Sequence, residues 1–146
     1  MTFNAAELPE PTADLVAGLE DAGLPTDDLH EPGRRFYRFE DDSGLIGYGG
    51  LEQTGADTLI RSIAVVGDRR GEGHGSAILS WLECRAAAQQ ASALYLLTTS
   101  ATVFFQRHGY AVLPRSAAPP AIAASRQFST LCPASAAFMY KELLTQ

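Results

Sequence analysis

Three glycines alternate over five positions between an apolar segment and a segment with helical spacing. The apolar run 58–66 comes before these glycines, which are Gly71, Gly73 and Gly75. The run 74–90 comes after Gly73, and its residues Ile78, Trp81 and Leu82 have the spacing of one buried helix face. Glycine has no Cβ, so backbone N–H groups in such a turn can converge on a closely approaching ligand. The start of a helix adds a partial positive charge. The turn therefore predicts a pyrophosphate site; the alternative is a plain loop before a helix.

The spacing of this turn separates it from two common phosphate-binding motifs. A P-loop closes with Gly-Lys-Ser/Thr, and no lysine is present here. A dinucleotide fingerprint reads GxGxxG, whereas this turn reads GxGxG and follows strands of antiparallel type. The pattern that fits is Arg/Gln-x-x-Gly-x-Gly/Ala, with Arg70 in the first position.

The elements that must position this turn alternate between strands and helices. Hydrophobic periodicity and turn residues predict strands over 2–6, 36–39, 45–53, 58–66, 93–98, 110–113 and 136–143, and helices over 12–22, 25–28, 74–90 and 100–107. Pro114 to Ala124 reads as a loop or short helix. This order predicts an α/β (α+β) domain with a mixed sheet.

Composition limits the class of protein further. The 146 residues predict a single domain over 1–146, and 11 basic against 17 acidic residues give a net charge of −6. That charge disfavours nucleic acid and anionic membranes as partners. Cys84 and Cys132 have no CxxC neighbour, so neither a disulfide framework nor a metal site is expected. No signal peptide or membrane-spanning run is recognised, which predicts a cytoplasmic protein.

The glycine turn resembles the acetyl-coenzyme A (acetyl-CoA) signature of the GNAT N-acetyltransferases. Ile63-Ala64-Val65 precede Arg70 as in that family, and the segment 104–110, Phe-Phe-Gln-Arg-His-Gly-Tyr, resembles its second signature. The resemblance implies a mixed, mostly antiparallel sheet with a splay between its fourth and fifth strands and helices on both faces. It also implies transfer of acetyl from acetyl-CoA to the primary amine of a small molecule.

The same resemblance assigns roles to individual residues. Backbone groups of Ile63, Ala64 and Val65 would bind the pantetheine arm, and a backbone N–H near Val65 would polarise the acetyl carbonyl. Thr98 stands where the family often has a cofactor-binding Asn. The pyrophosphate would be held by the turn and the first residues of its helix: Arg70, Gly71, Glu72, Gly73, His74, Gly75 and Ser76.

Two positions depart from the family pattern. Phe105 stands where many members carry a tyrosine that protonates the leaving thiolate, and Ile60 stands where phosphinothricin-type members carry a glutamate. Neither the usual acid nor the usual base can therefore be carried over. Glu52, late in a central strand, is the first candidate base if it points into the splay, and an exposed strand glutamate is the alternative.

A narrower resemblance is to the arsenic-resistance-associated (ArsN-type) GNAT acetyltransferases. The segments that carry it are 23–29, 59–65, 95–99 and 129–139. Some members of that group acetylate arsenic- or phosphorus-containing amino acids, which the resemblance adds as candidate acceptors here. Because Ile60 stands in place of the glutamate of phosphinothricin-type members, the sequence counts against those acceptors.

Four residues are candidates for binding the acceptor: Arg61, Thr99, Cys132 and Ser135. Arg61 is either an anchor for an oxyanion, which a guanidinium binds bidentately, or a salt-bridged structural arginine. Asp27 and Asp28 are expected to cap a helical turn, and the alternative is that they attract an ammonium group at the acceptor loop. The alternative functions are a non-catalytic acyl-CoA sensor and a protein N-acetyltransferase, and a second copy of the chain is a candidate partner.

Overall fold

A computed structural model describes residues 3–54, 56–131 and 135–143. Within them, seven strands form one sheet, with bounds β1 Asn4–Leu8, β2 Arg34–Asp41, β3 Gly44–Thr54, β4 Asp57–Val65, β5 Ala93–Thr98, β6 Ala111–Leu113 and β7 Ala137–Glu142. The helices are α1 Ala13–Asp21, α2 His74–Ala88, α3 Thr102–Arg107 and α4 Pro120–Ala123. Shorter helical turns cover Gly67–Arg69, Arg115–Ala117 and Gln127–Leu131.

The sheet is mixed and mostly antiparallel, as predicted. Its strand order is β1-β2-β3-β4-β5-β7-β6, and β4 with β5 is the parallel pair. That pair is joined at only three positions, from Asp57 opposite Ala93 to Leu59 opposite Tyr95. Beyond Tyr95, β5 stays paired with β7 alone. The predicted splay between the fourth and fifth strands is therefore confirmed.

A β-bulge in β4 lies where the splay begins. Gly50 is opposite Arg61 but Tyr48 is opposite Ala64, so Gly49 faces both Ser62 and Ile63. Ser62 has a φ of 61°, which is unusual for a residue with a side chain. A bulge bends its strand and increases the local twist, which turns β4 away from β5.

Helices cover both faces of the sheet. Leu15 and Leu19 of α1 pack on Phe36 and Tyr48 on one face, and Thr12 caps this helix by accepting a 3.1 Å bond from the Leu15 N–H. On the other face, α2 buries Ile78, Leu79, Leu82 and Ala86 in the largest core cluster. α3 joins that cluster through Phe105. Sequence spacing predicted Ile78, Trp81 and Leu82 as core positions; Ile78 and Leu82 are buried, and Trp81 is partly buried against the same cluster.

Two sequence-based boundaries differ from the structure. The first strand covers Asn4–Leu8 rather than 2–6. Residues 25–28 do not form a helical turn; the chain there is irregular and leads into turns over 27–30. Asp28 is not a cap, because its carboxylate is fully buried against arginines from β2 and β4.

Candidate active site

The splay between β4 and β5 opens into a cleft of about 460 Å³. One wall is β4 from Ile60 to Val65, and the other is the end of β5 with the start of α3. The cleft runs from Gly75, at the glycine turn, to Arg61, which lies about 13 Å from Val65 along β4 at about 3.3 Å per residue. A single cavity therefore joins the predicted phosphate site to the middle of the sheet.

The glycine turn presents unpaired backbone donors at one end of this cleft. Gly71 and Gly73 have φ values of 84° and 83°, and no atom lies within 4 Å of where a Cβ would stand on either. Gly73 is the N-cap of α2 and has no side chain to bond the first N–H groups of that helix. Those groups have no partner within the helix, so they suit an anion.

Arg69 fixes the turn to the β2–β3 hairpin. Its guanidinium bonds to the Asp41 carboxylate and donates to the Leu45 carbonyl at 3.3 Å. The hydrogen bond from Arg69 lowers the pKa of Asp41 below its usual value. Glu72 and His74, both predicted to bind cofactor, contact each other through Oε1 and Nε2 at 2.9 Å. Their side chains support the turn, which leaves their backbone groups for a ligand.

His108 supports the same helix start from α3. Its Nδ1 lies 2.8 Å from the Phe104 carbonyl and its Nε2 lies 3.0 Å from the Ser76 hydroxyl. Because a carbonyl can only accept, Nδ1 donates the hydrogen bond to Phe104. The side chain of Ser76 is thus engaged within the protein.

The backbone of Val65 faces the cleft. Val66 donates to the Ile46 carbonyl of β3 at 2.9 Å, and successive residues of an antiparallel strand point their N–H and C=O groups to opposite edges. The Val65 carbonyl is on the cleft side, since it accepts from Arg70 Nε at 2.9 Å. Its N–H has the same orientation. Arg70 also lies 3.6 Å from the Asp21 carboxylate, across the cleft mouth.

The β5 side of the cleft holds Thr98 and Phe105. Thr98 Oγ1 accepts a 3.0 Å bond from the Ala101 N–H and so shapes the entry to α3. Phe105 lines the cleft and is 8% exposed, with its ring packed edge-on against Phe104 and Tyr110. Phe105 therefore presents to the cleft an apolar ring, which has no proton to donate.

Tyr110 is the tyrosine nearest to Phe105 in the chain, and its hydroxyl is hydrogen-bonded away from the cleft. Its hydroxyl donates to Glu83 Oε2 at 2.8 Å, and Lys141 pairs with the same carboxylate at 3.1 Å. Burial first, and then the Glu83 charge, raise the pKa of Tyr110 far above its usual value. Tyr110 does not line the cleft, so it does not replace the missing tyrosine.

Arg61 lies at the far end of the cleft from the glycine turn, in a buried group of charges. Its two terminal nitrogens each donate to one oxygen of Asp28 at 2.6 Å, and Nη1 also donates to Glu52 at 3.1 Å. Arg34 bonds to Asp28 from the other side at 3.1 Å. Burial would raise the pKa of Asp28, but the hydrogen bonds and charges of Arg61, followed by those of Arg34, lower it. This geometry favours the salt-bridged interpretation of Arg61.

The structure brings about half of the predicted site residues together. The predicted residues that line the cleft are Arg61, Ile63, Ala64, Val65, Arg70, Gly75 and Thr98. Gly71, Glu72, Gly73, His74 and Ser76 form the turn and helix start beside it. Glu52 points into the Arg34–Arg61 pair rather than into the cleft, which removes the condition for its role as a base. Thr99 and Ser135 are exposed and do not line the cleft, and Cys132 lies outside the described residues.

Asp28 is the residue whose role sequence reasoning missed, since a helix cap was expected and a buried ion pair is found. It precedes Arg61 by 33 residues and lies in a loop, so no local pattern links the two. What distinguishes Asp28 from Asp27 is its complete burial. Burial cannot be inferred from the segment Pro-Thr-Asp-Asp, so the sequence offered no signal for this ion pair.

The part of the chain that the structure describes contains neither a candidate metal site nor a candidate membrane-spanning helix. No three His, Cys, Asp or Glu residues are grouped so as to hold a metal ion. Among the helices of residues 3–54, 56–131 and 135–143, none combines the length and apolar character needed to cross a membrane.

The profile of the acetyltransferase (GNAT) domain matches residues 32–112, which is more than half of the chain and includes β2 to β5, the glycine turn, α3 and the first two residues of β6. The chain belongs to the GNAT acetyltransferase family. It is therefore an acyltransferase by class. No curated protein matches the sequence.

Solved GNAT structures share the fold at low sequence identity. N-acetylglutamate synthase from Neisseria gonorrhoeae, complexed with coenzyme A and N-acetyl-glutamate, has a TM-score of 0.75 and 17% identity over 97% of this chain. The chain spans only 36% of that enzyme's length. A GNAT-family acetyltransferase from Staphylococcus aureus has a TM-score of 0.70 and 17% identity, covering 98% of this chain and 100% of its own. A Mycobacterium tuberculosis protein complexed with CoA has a TM-score of 0.71 and 21% identity, covering 95% of this chain and 99% of its own.

Proposed function

We propose that this GNAT acetyltransferase transfers the acetyl group of acetyl-CoA to the primary amine of a small molecule. The observation that carries the proposal is the single cleft that joins an anion-binding turn to the bulged, splayed edge of β4. Similar folds from Neisseria gonorrhoeae and Mycobacterium tuberculosis were solved with coenzyme A. The first of these also holds N-acetyl-glutamate, an N-acetylated small molecule.

The residues present fit the cofactor. The unpaired N–H groups at the start of α2 and the Arg70 guanidinium would bind the pyrophosphate. The cleft edges of Ile63–Val65 and Leu96–Thr98 would hold the pantetheine arm, since neither strand edge is paired with the other there. The turn lies at the Val65 end, so the acceptor is expected at the Arg61 end.

Catalysis by this chain rests on positioning and on a backbone donor. Acetyl-CoA supplies an activated thioester when it is bound. A backbone N–H at or near Val65 would stabilise the negative charge that develops on the carbonyl oxygen. The apolar walls, including Phe104 and Phe105, would exclude water from the site. No side chain of the described cleft is placed as a tyrosine-type acid, so the leaving thiolate would be protonated by water or a hydroxyl at Thr98–Ser100.

The narrower resemblance adds acceptors that contain arsenic or phosphorus. In that hypothesis Arg61 binds the oxyanion of the acceptor. Its guanidinium is already bonded to Asp28 and Glu52, so it would have to give up an internal partner. These compounds therefore enter the acceptor panel as the competing class.

Two measurements test the proposal. Calorimetry should show acetyl-CoA binding, and a coenzyme A release assay should show turnover with members of a panel of primary amines, amino acids and arsenic- or phosphorus-containing amino acids. Binding of acetyl-CoA without turnover of any acceptor would instead favour the acyl-CoA sensor. Turnover of peptides but not of small amines would favour a protein acetyltransferase.

A further inference from the structure

The positive charge at the acceptor end of the cleft is compensated inside the protein. Arg61 donates to Asp28 through both terminal nitrogens, to Glu52 through Nη1, and to the Ser62 hydroxyl through Nε at 3.2 Å. Four of the five N–H groups of a guanidinium are thereby engaged. The Arg61 side chain has no exposed area. Arg61 lines the cleft as a neutralised residue rather than as a free cation.

The surrounding group of charges is balanced as a whole. Arg34 adds a second positive charge, bonded to Asp28 at 3.1 Å and 3.6 Å from the Glu52 carboxylate. Glu31 lies 3.6 Å from Arg34 and pairs in turn with Arg126, so three arginines face three carboxylates. The Asp28 and Glu52 side chains are 0% and 5% exposed. The pKa of Asp28 is lowered, so it stays ionised at neutral pH.

An anionic group brought against Arg61 would meet these carboxylates. Asp28 and Glu52 lie within 3.1 Å of the same terminal nitrogens, so a carboxylate of the acceptor would have to share a donor with them. Like charges at that separation repel strongly where water is excluded. Because Asp28 and Glu52 already neutralise Arg61, its guanidinium offers no unpaired positive charge to an anion of the acceptor.

The rest of the described cleft is mainly apolar. The charged residues among its described lining are Asp21, Arg61 and Arg70. Asp21 and Arg70 contact each other at 3.6 Å beside the glycine turn, at the opposite end from Arg61. Next to Arg61 in β4 the lining includes Ile60 and Ser62, and the apolar Leu24 and Leu96 also line the cleft.

We infer that the acceptor is a primary amine on an apolar body, without a carboxylate, phosphonate or arsenic oxyanion next to the amine. This inference rests on the proposed function and names its substrate class. Acetyl transfer then forms the amide C–N bond, breaks the thioester C–S bond, and passes one amine proton to solvent and thence to the thiolate. The neutral Arg34–Arg61–Asp28–Glu52 group is the determinant of this choice.

Amines paired with their carboxylated parents provide the test. Phenethylamine with phenylalanine, isoamylamine with leucine, and tryptamine with tryptophan each differ by one carboxylate. We expect the amine of each active pair to have at least a tenfold higher kcat/KM, because leaving a charge without a partner costs more than about 1.4 kcal/mol. With coenzyme A present in place of acetyl-CoA, calorimetry should show the same order of binding for phenethylamine and phenylalanine.

Preference for the amino acids, or for arsenic- or phosphorus-containing amino acids, would overturn this inference while leaving the proposed function intact. Absence of turnover with every amine and amino acid would overturn both. The two failures are therefore distinguishable.

A charge-removing variant tests whether the buried group sets the preference. Asp28→Asn removes one negative charge from the group and leaves Glu52 as the carboxylate bonded to Arg61, so it should shift the amine-to-amino-acid ratio of kcat/KM at least tenfold towards the amino acid. Asp27→Asn, which removes the same charge from the exposed neighbouring position, should leave the ratio unchanged. Glu52→Gln serves as the second variant where Asp28→Asn does not fold. If both acids had only a structural role, their variants would lower kcat/KM for both members of a pair equally, and this result would contradict the inference.

Discussion

Arg61 and Asp28 are 33 residues apart in the chain and share two hydrogen bonds of 2.6 Å in the protein interior. The pair joins the loop after α1 to the middle of β4, beside the bulge at Ser62. Both side chains have no exposed area. The loop wall of the cleft is therefore held by a bidentate ion pair.

Breaking this pair should destabilise the protein strongly. Arg61→Ala leaves Asp28 and Glu52 buried with Arg34 as their common cationic partner, and removal of one member of a buried pair typically costs about 3–5 kcal/mol. Urea denaturation gives the change in the free energy of unfolding. The control is Arg38→Ala, because its pair with Glu40 is 36% and 48% exposed and such pairs contribute about 0–1 kcal/mol. Equal losses of unfolding free energy in Arg61→Ala and Arg38→Ala would show that the buried ion pair contributes no more to stability than the exposed one.

Acid should weaken the folded state through Asp28. The pKa of Asp28 is lower in the folded protein than its usual value of 3.8. Its contribution to stability is therefore complete above that usual value and is lost as the pH falls through the lower, folded pKa. Unfolding measured between about pH 5 and pH 2 should show this loss in the wild type and in Asp27→Asn, but a shallower slope in Asp28→Asn. An unchanged slope in Asp28→Asn would mean that other carboxylates account for the acid sensitivity.

A side chain at Gly73 should block the anion site. Gly73→Val places carbon atoms beside the first N–H groups of α2, in space that is open in the structure. We expect acetyl-CoA affinity to fall at least tenfold by calorimetry, a loss of about 1.4 kcal/mol or more. Gly44→Val is the matched control, since Gly44 also has a positive φ and open surroundings but is the first residue of β3, away from the start of α2. Unchanged affinity in a folded Gly73→Val protein would remove the phosphate assignment.

The pH dependence of catalysis should show no ionisation of a tyrosine phenol. Phe105 lines the cleft and Tyr110 is bonded to Glu83 outside it, so kcat should show no decrease assignable to a tyrosine with a pKa of about 10. Phe105→Tyr should introduce such a decrease if its hydroxyl reaches the sulfur. Tyr110→Phe should leave the profile unchanged. A high-pH decrease that disappears in Tyr110→Phe would identify Tyr110 as the acid after all.

Local sequence was sufficient for most of the fold and for the position of the glycine turn at the start of α2. The limits of β5 and the buried positions Ile78 and Leu82 of α2 follow from short-range periodicity, which depends on neighbours a few residues apart. The glycine turn was recognisable because Gly71 and Gly73 hold a backbone conformation that other residues rarely adopt. Its donors are backbone groups, and their position depends little on distant side chains.

The acceptor end was not predictable in the same way. Glu52 had the right chemical type for a base, and Arg61 had the right type for an oxyanion anchor. Which way each points depends on Asp28 and Arg34, which reach them from a loop and a neighbouring strand. The sequence by itself determined a GNAT domain with a glycine turn at the start of α2, because those features are local. Only the tertiary structure decided that Arg61 is neutralised, because ion pairing depends on three-dimensional distance and burial rather than on spacing along the chain.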